Sequence, residues 1–104
     1  WIGPEFQDWL MIPSGAKRLD LRFQAPPEPL GSDLIIQFSI DGNQVCTGRF
    51  EGNPELHLAA TLSEPSSDLV EIRIECSGFF IPKEEGFSED SRELSVKLVE
   101  TSWS

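Results

Sequence analysis

Histidine, cysteine and basic charge are scarce in this chain, and each scarcity removes a class of function. The one histidine, His57, would have to serve any Ser-His-Asp or Cys-His arrangement. It stands between Leu56 and Leu58 on the parity opposite to those leucines, a position that faces solvent if the segment is a strand. No strained Gly-x-Ser-x-Gly turn and no reactive-cysteine context accompanies it, so the chain reads as non-enzymatic. One imidazole and two distant thiols, Cys46 and Cys76, cannot complete a four-ligand zinc site, and neither metal nor cofactor is expected. With 8 Lys+Arg against 18 Asp+Glu the formal net charge is -10, which repels phosphate backbones and excludes nucleic acid as the main partner. No apolar run approaches the ~20 residues that span a bilayer, and no basic segment followed by an apolar one opens the chain. A membrane partner is therefore not expected.

A helical period sustained over three turns is also missing. What is present is alternation with period two. Arg18-Leu19-Asp20-Leu21-Arg22-Phe23-Gln24 puts Leu19, Leu21 and Phe23 on one face and charge on the other. Leu34, Ile36, Phe38 and Ile40 share a parity, as do Leu56, Leu58, Ala60 and Leu62, and Val70, Ile72, Ile74 and Cys76. Phe6 to Ile12 reads as a first strand with imperfect alternation, and Glu93 to Leu98 as a last one. Pro/Gly/Ser/Asp breaks separate these runs. The pattern predicts an all-β fold, an antiparallel two-sheet β-sandwich of about seven to eight strands, immunoglobulin-like or jelly-roll-like. Its core is expected to hold Leu19, Leu21, Phe23, Leu34, Ile36, Phe38, Ile40, Leu58, Val70, Ile72, Ile74, Leu94, Val96 and Leu98. At 104 residues this is a single module, 1–104, that reads as excised from a longer chain.

Asp41-Gly42 between two strand-like runs predicts a two-residue hairpin. Uninterrupted, it pairs Phe38 with Val45 and turns Cys46 to the opposite face, while Cys76 faces the core. The two sulfurs then lie on different sides of a sheet and a disulfide is not favoured, although a bulge would change the geometry.

The segment after Cys76 mixes buried-type aromatics, Phe79, Phe80 and Phe87, with Glu84, Glu85, Glu89 and Asp90. Those carboxylates are hard oxygen donors without the spacing of an EF-hand loop, so solvated charge is the expectation over a calcium site. Asp90 and Arg92, two apart at a strand entrance, suit a local pair that fixes a structural loop containing Phe79, Phe80 and Pro82. Trp1, Trp9 and Trp103 are aromatics on which a sugar could stack, with Trp103 expected to be the most exposed and Trp9 the second candidate. An acidic surface favours a neutral glycan over a polyanion.

Ser77, Phe79, Phe80, Pro82, Gly86, Asp90, Arg92 and Leu94 fall in an order similar to the closing motif of small β-sandwich domains attached to bacterial glycosyltransferases and related surface-polysaccharide enzymes. The opening Trp1-Ile2-Gly3-Pro4 and the Asp41-Gly42 hairpin also resemble that family, so the likeness spans nearly the whole chain. Ser95 departs from it, since glycine is common there. The resemblance implies a non-catalytic, lectin-like accessory module in the cytoplasm beside the catalytic domain of its parent chain. Two classes of function remain open: a binding module for a neutral glycan or the adjacent catalytic domain, and a purely structural or oligomerising sandwich. A groove with an exposed aromatic and converging polar groups would favour the first.

Overall fold

The computed structural model describes residues 1–26, 34–62, 68–81, 84, 86 and 92–104. Within them lie seven strands: β1 (Glu5–Met11), β2 (Arg18–Gln24), β3 (Ile35–Ile40), β4 (Asn43–Arg49), β5 (Glu55–Thr61), β6 (Leu69–Cys76) and β7 (Lys97–Trp103). They form an antiparallel four-stranded sheet in the order β1-β6-β3-β4 and an antiparallel three-stranded sheet in the order β5-β2-β7. The expected sandwich is the observed fold. In the constant-type immunoglobulin order the first strand pairs with the second and the last with the sixth. Here β1 pairs with β6 and β7 with β2, so the two terminal strands have exchanged sheets.

The alternating segments bury the residues that their parity selects. Leu19, Leu21, Phe23, Ile36, Phe38, Ile72 and Ile74 are each at most 1% exposed and fill the space between the sheets. An Ile or Leu truncated to alanine in such a site costs about 2–5 kcal/mol. Leu98 is half-buried against this core rather than inside it, and Ile2, Phe50, Ala60 and Phe80 join the buried set. Phe80 is closed off by Trp1, whose ring meets it edge-on at 5.5 Å.

The Asp41-Gly42 turn has positive φ at both residues, 49° and 84°, as a two-residue hairpin matched to strand twist requires. Asp41 also ties the turn to β6: its N–H donates to the Glu71 carbonyl and its Oδ1 accepts from the Glu71 N–H. Beyond the turn the register shifts, and this corrects the expected hairpin. Ser39 faces Gln44 but Phe38 faces Cys46, which leaves Val45 as the extra residue of a bulge. Cys46 therefore turns inward against the core, as Cys76 does. Both sulfurs lie on the same side, contrary to expectation, but β3 runs between them, with Phe38 facing Cys46 and Ile36 facing Cys76. Two strand spacings, ~9–10 Å, exceed what a disulfide spans. Both cysteines are free thiols.

The last strand also differs from expectation. It begins at Lys97 rather than Glu93 and runs on to Trp103, while Leu94 and Val96 make isolated bridges to Phe80 and Ile2. A second bulge, at Val99, separates the Phe23–Leu98 pair from the Arg22–Glu100 pair. It puts Leu98 and Trp103 on the same inner face despite their opposite parity.

Candidate functional site

The outer face of the four-stranded sheet carries an exposed aromatic and converging polar groups. On β1 and β6 the outward residues face each other as Glu5 with Glu75, Gln7 with Arg73, Trp9 with Glu71 and Met11 with Leu69. Directly opposed side chains sit ~5 Å apart at Cβ and successive rows are ~7 Å apart along the strands. From the next strand Gln37 lies beside Glu75 and Ser39 beside Arg73. Trp9, on the edge strand β1, is 57% exposed on this surface, and Arg73 lies 3.7 Å from Glu71.

Three depressions meet at Glu75. One of about 310 Å³ is lined by Glu5, Gln7, Arg73 and Glu75 with Phe6 at its base. A wider one, about 820 Å³, continues over the sandwich end past Glu75, Ser77 and Glu93 to Phe79, which is 46% exposed. The third, about 240 Å³, runs towards Ile35 and Gln37. Together they form a shallow groove that reaches Phe79 at the sandwich end, and Trp9 stands on the same face one row beyond Gln7 and Arg73. Ser77 is itself fixed, its hydroxyl accepting the Ile35 N–H at 2.9 Å.

The predicted aromatic pair is not brought together. Trp9 is exposed as a platform must be. Trp103, expected to be the more exposed, lies in the other sheet opposite Leu19 and packs its half-buried ring against the core. Of the expected structural loop, Pro82 and Asp90 lie outside the described residues, as do Glu85, Phe87 and Glu89. Phe79 is exposed, Phe80 is buried and Arg92 is exposed.

The outer face of the three-stranded sheet is a lattice of charge. Asp20 accepts from Arg18 at 3.1 Å and lies 2.7 Å from His57 Nε2, while Arg22 reaches Glu100 at 2.6 Å and Glu55 at 3.3 Å. His57 faces solvent, as its parity indicates. The hydrogen bond from Arg18 foremost, and that from His57 behind the opposing effect of desolvation, hold the Asp20 carboxyl below its ordinary value. Burial pushes the Cys76 thiol up to about 11, despite a hydrogen bond with Ser95, so it is a poor nucleophile near neutral pH. Among the described residues no three carboxylate, imidazole or thiol groups lie close enough to hold a metal ion, and no helix is long and apolar enough to cross a membrane.

Comparison with family models, with curated proteins and with solved structures finds no match to this chain. Gln7, Gln37, Arg73 and Glu75 were not singled out in the sequence, because each is an ordinary polar residue on an outward parity. Their convergence depends on β1 pairing with β6, and alternation within a strand does not specify which strand lies next to it.

Proposed function

We propose that this chain is a non-catalytic, lectin-like module that binds a neutral oligosaccharide across the outer face of β1, β6 and β3. One observation carries the reading: an exposed indole at Trp9 adjoins an open groove lined by Gln7, Arg73, Glu75 and Gln37. An aromatic face suits the apolar C–H face of a pyranose, and amide, guanidinium and carboxylate groups are the partners that ring hydroxyls need. The excess of carboxylates opposes polyanions. The three depressions share Glu75 and extend from Gln7 to Phe79, which favours an oligosaccharide, and their shallow, open form keeps affinity near millimolar, ~4 kcal/mol. Resemblance to accessory domains of bacterial glycosyltransferases supports a place beside a catalytic domain in the cytoplasm, where holding a growing glycan would be useful.

Titration of neutral oligosaccharides against intrinsic tryptophan fluorescence tests this. A saturable change lost in Trp9→Ala and in Gln7→Ala, and retained in Trp103→Ala, is expected. Absence of any response across a panel of neutral glycans would leave the structural or oligomerising reading.

A further inference from the structure

The β1 strand ends its sheet, and its hydrogen-bonding pattern shows which backbone groups face outward. Cys76 N–H donates to the Pro4 carbonyl at 2.8 Å and Ile12 N–H to the Asp68 carbonyl at 2.7 Å, so the even-numbered residues of β1 pair with β6. In an antiparallel ladder the intervening residues then point their N–H and C=O groups away from that partner. Those are Glu5, Gln7, Trp9 and Met11. Among the described residues no strand covers this edge. One outward group is occupied: the Trp9 N–H donates to Asp8 Oδ1 at 2.8 Å.

Side chains along the edge are apolar and acidic. Trp9, Met11 and Leu69 are exposed together, Met11 by 74%. Residues 1–16 contain Glu5 and Asp8 but no lysine or arginine, and Arg73 on β6 lies against Glu71. Asp8 stands at an inward parity between Phe6 and Leu10 yet is exposed, a device by which sheet edges resist indiscriminate pairing. Two copies joined edge to edge about a two-fold axis would lay Asp8 against Asp8, Leu10 or Phe6 of the second copy, and each register opposes a carboxylate with a like charge or an apolar side chain.

We infer that the β1 edge accepts an extended segment of another polypeptide by strand addition, and that this segment alternates apolar with basic residues. Backbone bonds to Gln7, Trp9 and Met11 hold it. Apolar side chains lie beside Trp9 and Met11, and a lysine or arginine opposite Asp8 draws its carboxylate off the Trp9 N–H.

The probe is a synthetic peptide of alternating valine and lysine, as long as β1, measured by calorimetry and by NMR shifts on β1. Its valine–glutamate counterpart should bind at least ~10-fold more weakly, and added salt should weaken the lysine peptide. Proline at an outward position keeps the β1–β6 ladder while removing an edge donor, so Met11→Pro should reduce peptide binding ~10-fold and leave the oligosaccharide titration unchanged. Should Met11→Pro alter the circular dichroism of the fold, peptides N-methylated at one or the other alternate set test the same bonds on the unaltered protein: only one set should abolish binding. Asp8→Lys should reverse the charge preference. Equal binding of both charge types, or indifference to N-methylation, would overturn strand addition, and a concentration-dependent dimer with no peptide binding would make a second copy the occupant.

Discussion

The hydroxyl of Ser95 donates to the carbonyl of Gly78 at 2.6 Å, and Ser95 is fully buried. Its N–H also donates to the Ile2 carbonyl at 2.9 Å. One residue thereby joins the opening segment, the turn after β6 and the approach to β7. Ser95→Ala keeps the backbone bond and leaves the Gly78 carbonyl without its partner, at a cost of about 1–3 kcal/mol. For a domain this size each kcal/mol corresponds to ~4–8 °C in Tm. A thermal melt of Ser95→Ala that superimposes on that of the parent protein would show that water replaces the hydroxyl without loss.

Gly48 marks where β4 passes over β5. A Cβ at this position would lie 2.7 Å from Leu58 Cδ2 and 3.0 Å from Leu56 Cδ2, closer than van der Waals contact permits. Leu58 is buried and has little room to yield. Gly48→Ala should therefore destabilise by about 1–3 kcal/mol through overpacking. Pairing it with Leu56→Ala should recover part of that loss, and urea denaturation of the double variant measures the coupling.

The sandwich and most of its core were legible because β2, β3 and β6 alternate strictly and their faces differ sharply in polarity. Cys46 was misplaced by its parity, whereas Trp103 was expected to be exposed because it stands almost at the C-terminus. Period two carries parity along a strand only while the pairing is regular, and each bulge adds a residue and inverts it. Val45 does this to Cys46, and Val99 to Trp103. Both extra residues are exposed valines, good strand formers that give no local warning of a bulge. The groove was hidden for a different reason. Trp9 could be picked out as an aromatic, but of the residues that accompany it Gln37 comes from β3 and Arg73 and Glu75 from β6, more than sixty positions away.

Asp20 gives the outer face of β2 a dependence on acid. Hydrogen bonds from Arg18 and then His57 favour its charged form in the folded protein, so its folded value lies below the ordinary 3.8. A carboxyl of this kind contributes stability that is present above pH 3.8 and lost as pH falls through the lower folded value. Asp20→Asn should therefore differ most from the parent protein near neutral pH and converge with it in strong acid. Urea midpoints collected from neutral pH down to below pH 3 measure this, and parallel curves over the whole range would show that the contacts around Asp20 contribute nothing to folding.

Cys76 sets the opposite limit. Its thiol is half-buried at the end of β6 behind Ser77, and desolvation raises it from 9.0 to about 11 in the folded chain, against a smaller opposing effect of its hydrogen bond with Ser95. The unfolded chain ionises near 9 while the folded chain keeps its proton, so folding stability that is complete below pH 9 is lost progressively as pH rises towards 11. Because the thiolate is the reacting species, the same shift slows alkylation. In a Cys46→Ala background, the rate of iodoacetamide modification at Cys76 should rise with a midpoint near pH 11, provided near-ultraviolet circular dichroism shows the fold intact. A midpoint at 9 would mean that water reaches the sulfur freely and that the end of β6 is open.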